Sequence, residues 1–329
     1  VVADGVYTVT LAACDVAGNC ATRAYPVRVD RTPAKAALSA VPGLFSPNGD
    51  GAADTASLRW TLSEAAGGTA SVWSGTTLVR QWPVGSAGSG SVTWDGRNSA
   101  GRAVTDGRYT FRLDVRDAAG NRTIAGTPVV VDRTAGALRW SGNFYPQDGD
   151  ALAATSTLTW RQTRAAASTL ALYDNRGNLV RTVWSNRTLG AGTHTWVWNG
   201  KLANGAFVPQ GSYVARVTVV SPLGTQTLER PVWAAAFSAS MSAMVVKPGQ
   251  TLTVILASSE PLKSAPRVTF RQPGLSALSV TAVRLADGRY RAAFAVRAGA
   301  TGAASVSIAG TDTGGRANAS AYTLAFRAR

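Results

Sequence analysis

Apolar and polar residues alternate along many short stretches of this chain. Apolar side chains occupy every second position from Tyr109 to Val115, and again from Tyr213 to Val219. A period of two places successive side chains on opposite faces of a β-strand. Residues 117–121, which follow the first stretch, supply the Gly and Asn that a tight hairpin turn needs for positive φ. The pattern therefore predicts a chain of β-hairpins.

Several of these stretches are repeated. Three motifs near the start recur in the same order and spacing near the middle of the chain: residues 4–7, 14–19 and 29–32 match residues 106–109, 116–121 and 131–134. A looser copy begins at residue 210, and a fourth begins at residue 287. The offset of about 100 residues is the size of one β-sandwich domain and is too long for a solenoid repeat.

The repeats set the expected domain organisation. We predict an all-β chain of tandem immunoglobulin-like (fibronectin-III-like) β-sandwiches arranged as a rod, because the joins at residues 30–33 and 132–134 are too short for flexible linkers. The chain lacks an initial Met and begins within a strand-like pattern, so we expect a fragment of a longer precursor with an upstream domain. The expected domains are a truncated one at 1–34, full ones at 35–135 and 136–236, and a divergent one at 237–329.

The middle of each full repeat carries a recognisable string. Residues 94–109 read W-D-G-R-N-x-x-G-R-x-V-x-x-G-x-Y, which resembles the immunoglobulin-like (FlgD-type) module of the flagellar hook-capping family. Residues 198–213 are a weaker match, and residues 45–51 resemble a signature at the start of such modules in surface proteins. The last domain, from residue 246, is similar to general bacterial Ig-like domains. The resemblance implies a fold but no particular activity, because such modules occur in many secreted proteins.

Cys14 and Cys20 flank the first predicted hairpin turn, at residues 15–19. In a hairpin they would face each other across the two strands, close enough for a disulfide, which requires an oxidising compartment. The alternative is a pair of free thiols. A zinc or redox site does not fit the spacing or the lack of further ligands. We therefore expect a secreted or cell-surface protein.

The best metal candidate is the glycine-rich loop containing Asn48, Asp50 and Asp54. Hard oxygen ligands at alternating positions of such a loop suit Ca²⁺. The loop lacks the final bidentate Glu of an EF-hand, and the alternative is a turn that precedes a strand. Residues 147–150 form the equivalent loop of the next repeat, but Ala153 and Ala154 stand where its last Asp would fall. We expect that loop to have lost any such site.

The charge balance bears on binding partners. The chain has 33 Lys and Arg against 18 Asp and Glu, a formal net charge of +15. Such a field attracts an anionic wall polymer or polysaccharide, although scattered Arg residues also fit a compositional bias of the source genome. The sequence contains no basic run typical of nucleic-acid binding and no apolar stretch long enough for a membrane helix.

Most tryptophans recur at matching places in the repeats and are therefore predicted core residues, which leaves Trp140, Trp196 and Trp233 as candidates for stacking on sugars. Catalysis is not expected, because His194 is the single histidine and the three Glu lie in different domains. We expect a non-catalytic structural, spacer or adhesive segment of a larger secreted or cell-surface bacterial protein. The alternative is an accessory carbohydrate-binding segment of a secreted hydrolase.

Overall fold

The computed structural model describes residues 2–327. Within this range the regular elements are strands, apart from the 3₁₀ helix Pro146–Asp148. The chain divides into two compact units. One extends to Gly136 and includes Ser221–Gln226, and the other comprises Ala137–Val220 and the residues from Thr227 onward. The predicted all-β class and the tandem of Ig-like sandwiches are confirmed.

The first unit begins with an isolated hairpin of β1 (Gly5–Cys14) and β2 (Cys20–Val29). The two strands are antiparallel, and their register pairs Gly5 with Val29. Both strands are exposed along nearly their whole length, including large apolar side chains such as Val6 and Leu11. Two strands alone cannot bury an apolar face.

The same unit contains the first complete module. Its strands are β3 (Ala36–Val41), β4 (Leu44–Phe45), β5 (Ala56–Ser74), β6 (Thr77–Trp94), β7 (Gly107–Asp117) and β8 (Arg122–Val131). They follow the order β3-β5-β7-β8-β4, with β6 paired to β5. Strand β7 buries Tyr109, Phe111, Leu113 and Val115, so the predicted alternation is confirmed.

Strand β5 belongs to both layers of this sandwich. Its first half, up to Leu62, pairs with β3, and its second half, from Ala66, pairs with β7. The register against β6 shifts between Thr61 and Gly68, where the strand bends. The core between the layers includes Phe45, Leu58, Trp94, Tyr109 and Phe111.

The next module contains β9 (Ala135–Trp140), β10 (Ser156–Gln162), β11 (Ala166–Asp174), β12 (Leu179–Leu189), β13 (Gly192–Trp198), β14 (Gly211–Ser221) and β15 (Gly224–Ala234). They form a three-stranded sheet, β13-β10-β9, and a four-stranded sheet, β12-β11-β14-β15. Two separate strands, β10 and β11, take the place of the long strand β5 here, with a break after Gln162. The fully buried residues of this module include Leu158, Trp160, Leu170 and Trp198.

The last module has strands β16 (Phe237–Met241), β17 (Val245–Val246), β18 (Thr251–Ser258), β19 (Arg267–Arg271), β20 (Leu278–Thr281), β21 (Val283–Arg284), β22 (Tyr290–Ala295), β23 (Gly302–Thr311) and β24 (Ala317–Phe326). Its two sheets have the orders β16-β18-β22-β21 and β17-β24-β23-β19-β20. The core between them contains Phe237, Phe270 and Phe294. The exact domain bounds 1–34, 35–135, 136–236 and 237–329 stay a prediction.

Candidate metal sites and exposed aromatic residues

The first hairpin places its two cysteines at directly paired positions. Cys14 and Cys20 are the last pair in the register of β1 and β2, and their sulfur atoms are bonded at 2.01 Å. The turn between them is ordered by Asp15, whose Oδ1 accepts the backbone N–H groups of Ala17 and Asn19 at 2.9 Å. The predicted disulfide is confirmed.

The predicted calcium loop is a tightly hydrogen-bonded turn. Asp54 Oδ1 accepts the N–H groups of Asn48 and Gly49 at 3.0 and 2.7 Å, and its Oδ2 accepts that of Gly51 at 2.7 Å. Asn48 Oδ1 accepts the N–H of Asp50 at 2.9 Å. The three predicted ligands therefore lie in one loop, where Asp54 already organises the backbone. Calcium binding at Asn48, Asp50 and Asp54 stays a prediction.

A second group of carboxylates lies in the second compact unit. Asp148 ends the 3₁₀ helix Pro146–Asp148, Glu260 follows β18, and Asp312 follows β23. One carboxylate oxygen from each lies within 4.8 Å of those from the other two. Glu260 and Asp312 are 3% and 0% exposed, so two of the three carboxylates are removed from solvent. We call these three residues the buried acidic cluster.

Several oxygens at the buried acidic cluster have no hydrogen-bond partner among the residues that the structure describes. They are Asp148 Oδ2, Glu260 Oε1, Asp312 Oδ2 and Asn318 Oδ1. Asn318 is only 1% exposed and contacts the cluster directly, because its Nδ2 donates to Glu260 Oε2 at 2.7 Å. Within residues 2–327, no Lys or Arg forms an ion pair with the three carboxylates. Buried carboxylates that lack a cation and keep an unsatisfied oxygen are energetically unfavourable.

The electrostatics reflect this crowding. Burial first, and then the nearby carboxylates of Asp148, Asp150 and Asp312, together raise the pKa of Glu260 to about 7, against the opposing hydrogen bond from Asn318. Burial also raises the pKa of Tyr145, with contributions from Asp148 and Glu260. Negative potential therefore accumulates at this point, even though the whole chain is strongly basic.

A related cluster of Asp30, Glu64 and Asp117 lies in the first unit. One carboxylate oxygen from each of these residues again lies within 4.8 Å of those from the other two. Here two of the three carboxylates have side-chain partners. Asp30 pairs with Arg28 at 2.9 Å, and Asp117 Oδ2 accepts Asn121 Nδ2 at 3.0 Å. Asp30 and Glu64 are also partly exposed. The two clusters therefore differ in burial and in the presence of an arginine partner, although both combine one Glu with an Asp at a hairpin turn.

Neither cluster is predicted by the local sequence pattern. The loop at residues 147–150 is expected from its sequence to have lost a cation site, because Ala153 and Ala154 stand where its last Asp would fall. The structure shows that Asp148 meets Glu260 and Asp312, which are remote in sequence. A usable signal was present, since Glu is rare in this chain, and both Glu64 and Glu260 belong to a cluster with the first Asp of a closing hairpin.

The tryptophans follow the prediction from the repeats in part. Trp60, Trp94, Trp160 and Trp198 are buried, as expected for repeated positions. The other repeated tryptophans, Trp73, Trp82 and Trp184, are partly exposed. Of the tryptophans that have no counterpart in another repeat, Trp140 and Trp196 are partly exposed. The ring centroid of Trp140 lies 6.0 Å from that of Trp196 and 6.1 Å from that of Trp198.

Trp233 is also partly exposed and packs edge-on against Tyr322, with 6.4 Å between ring centroids. These two rings line a recess of about 220 Å³ together with Gln210.

The single histidine, His194, makes a 2.9 Å hydrogen bond with the Gly190 carbonyl, and its ring centroid lies 5.5 Å from that of Trp160. No helix within residues 2–327 has the length and apolar character needed to cross a membrane.

Comparison with known proteins finds a family similarity for each of the two central modules. Residues 48–119 and 148–222 each match the family model of the FlgD Ig-like domain. The basal-body rod modification proteins FlgD of Salmonella typhimurium (strain LT2) and Salmonella typhi are each 41% identical over 64 residues, which is 20% of this chain and 27% of the relatives. The chain thus spans about a quarter of the length of these curated relatives.

Solved structures give only distant similarities. The tetra-tandem repeat from the extending region of a large adhesion protein aligns over 99% of this chain and 82% of its own, with 21% identity and a TM-score of 0.29. Native E. coli alpha-2-macroglobulin aligns over 99% of this chain and 26% of its own, with 11% identity and the same TM-score of 0.29. Similarity at this level carries no functional information.

Proposed function

We propose that this chain, whose residues 48–119 and 148–222 match the FlgD Ig-like domain, is a non-catalytic structural segment of a larger secreted or cell-surface bacterial protein. Its role is to hold a neighbouring domain of the same protein at a set distance, as a spacer or an adhesive stalk. The observation that carries this proposal is the way in which side chains fix the short linkers between modules.

In the first unit, the closing hairpin of the first complete module bonds to the preceding linker. Asn121 Nδ2 donates to the Asp30 carbonyl at 3.0 Å, and Thr123 Oγ1 donates to the Ala34 carbonyl at 2.6 Å. The linker also bonds to Asp4, the residue just before β1. The Arg31 backbone N–H and the Thr32 hydroxyl both donate to the Asp4 carboxylate. Hydrogen bonds that satisfy linker carbonyls restrict the backbone, which suits a segment that must keep its length.

The second unit repeats this arrangement around residues 235–237. Ser259 Oγ donates to the Ala235 carbonyl at 2.6 Å, and Ser320 Oγ accepts the N–H of Phe237 at 3.1 Å. Gln210 Oε1 accepts both the Ala236 N–H and the Ser320 hydroxyl. The short linkers of both units are therefore bonded to side chains of the module that follows.

Limited proteolysis tests the fixed linker. Trypsin cleaves after Arg31 only if the backbone there can open, so we expect this bond to resist cleavage in the native chain. Asn121→Ala combined with Thr123→Val should speed its cleavage about tenfold, because both linker bonds are lost. Thr110→Val on β7 is the control and should leave the rate unchanged. Rapid cleavage of the unaltered chain after Arg31 would contradict a fixed linker.

The location and the partners belong to the same proposal. The Cys14–Cys20 disulfide supports an oxidising compartment outside the cytoplasm. The net charge of +15 supports contact with an anionic wall polymer or polysaccharide. Calcium binding by Asn48, Asp50 and Asp54 is also proposed, since their oxygen-rich loop has the ligand chemistry that Ca²⁺ prefers.

The alternative, a carbohydrate-binding segment of a secreted hydrolase, has one favourable observation. Trp233 and Tyr322 present aromatic surface in a recess that also contains the polar side chain of Gln210. Aromatic rings beside hydrogen-bonding groups suit a sugar ligand. A glycan array separates the two roles: a spacer binds no glycan, whereas this alternative requires binding that Trp233→Ala abolishes.

A further inference from the structure

We propose that the buried acidic cluster, Asp148, Glu260 and Asp312, binds a calcium ion together with the side-chain oxygen of Asn318. The three carboxylates come within 4.8 Å of one another, which is close enough for a single ion to contact all three. The inference rests on this geometry and on burial, so it does not depend on the proposed structural role of the chain.

The unsatisfied oxygens provide independent support for a ligand. Each of the four residues has one buried oxygen without a donor among residues 2–327. In a folded protein, buried acceptors are almost always satisfied by a hydrogen bond or by an ion. Asn318 is informative because its Nδ2 is bonded to Glu260 while its own buried Oδ1 has no hydrogen-bond partner among residues 2–327.

The chemistry of the donors favours calcium over other divalent ions. All four are oxygen atoms, three from carboxylates and one from an amide, and this is the ligand set of a hard cation. Zinc prefers the nitrogen and sulfur ligands of His and Cys, which this group lacks. Magnesium keeps most of its water and requires near-octahedral geometry, whereas Ca²⁺ accepts about 6–8 ligands in irregular arrangements.

The first-unit cluster serves as an internal comparison. Asp30, Glu64 and Asp117 include partly exposed side chains and already have an arginine and an amide as partners. An arginine therefore already offsets part of the negative charge there. The buried acidic cluster has no such cation and its carboxylates are more buried, so an ion would relieve more repulsion there than in the first unit.

Such an ion would tie together three segments that are remote in sequence. Asp148 belongs to the 3₁₀ helix, Glu260 to the segment after β18, and Asp312 to the turn between β23 and β24. Backbone hydrogen bonds already bring the last two segments together, because Thr313 N–H donates to the Pro261 carbonyl at 2.9 Å. Calcium would add the 3₁₀ helix to this group and stabilise the second unit.

Equilibrium dialysis of the full chain against CaCl₂, after removal of bound metal with EDTA, tests the proposal. We expect Asp312→Asn and Glu260→Gln to bind one Ca²⁺ fewer per chain than the unaltered protein. Asp287→Asn is the matched control, since Asp287 is an exposed carboxylate of the same module that pairs with Arg289. Asp50→Ala reports separately on the loop of the first unit. Equal calcium binding by the unaltered chain and both cluster variants would overturn the proposal.

Thermal unfolding gives a second readout that distinguishes lost binding from lost folding. Calcium should raise the melting temperature of the unaltered chain by about 5 °C, because an ion bound only to the native state stabilises it. In EDTA, Glu260→Gln should melt no lower than the unaltered chain, since it removes a buried like charge. It should also gain less from calcium. A variant that melts lower in EDTA but gains as much from calcium as the unaltered chain would reject calcium binding at the buried acidic cluster.

Discussion

Replacing Trp94 with alanine is expected to lower the free energy of unfolding of the first complete module by about 3–5 kcal/mol. Trp94 is 0% exposed and packs edge-on against Phe45 and Tyr109, with ring centroids 5.3 and 5.2 Å away. Its indole Nε1 also donates to the Arg97 carbonyl at 2.9 Å. The substitution therefore leaves a large cavity and an unsatisfied carbonyl.

Calorimetry of the full chain measures this loss as a downward shift of one unfolding transition. Trp82→Ala is the matched control, because Trp82 is partly exposed and lies at the margin of the same core. Trp82→Ala should lower the free energy of unfolding by only about 1 kcal/mol. Similar shifts for the two variants would mean that Trp94 is not the centre of this core.

Gly68→Ala is expected to lower the free energy of unfolding of the same module by about 3 kcal/mol, which is at the upper end of the usual cost of adding a methyl group to a packed site. A β-carbon on Gly68 would lie 2.2 Å from the Asp114 carbonyl oxygen and 2.9 Å from the Val115 Cα. Both are backbone atoms of the paired strand β7, so no side-chain rotation can relieve the clash. The strands must separate at the bend of β5.

Chemical denaturation of the full chain followed by tryptophan fluorescence measures this effect. Gly85→Ala is the control, because a β-carbon at Gly85, on the neighbouring strand β6, meets no atom within 4 Å. It should change stability by no more than about 0.5 kcal/mol. Equal midpoints for the two variants would show that β5 and β7 can move apart without loss.

Local patterns were sufficient to predict most of the fold. The alternation from Tyr109 to Val115 specifies which side chains face the core, and the spacing of Cys14 and Cys20 around a turn specifies their pairing. Both features depend on residues close in sequence. The register of a hairpin follows from its turn, so such contacts can be inferred without a structure.

Features that depend on distant residues were not predicted. The continuity of β5 through both layers depends on Gly68 fitting against β7, and alternation does not report this contact. The buried acidic cluster joins Asp148 to Glu260 and Asp312 across two repeats. Each of these carboxylates belongs to an ordinary local turn or strand end, and only the tertiary fold brings them together.

The uninterrupted pair of β5 and β6 also bears on how the first complete module folds. The two strands are joined by Gly75 and Thr76 alone, so the chain closes a very short loop before it pairs along both layers. Pairing of β5 with β7 requires a much longer closure and is therefore slower. In the next module, breaks after Gln162 and Leu189 divide the equivalent pair, and each layer must begin its own pairing. We therefore expect two modules with the same architecture to differ in the earliest steps of their folding.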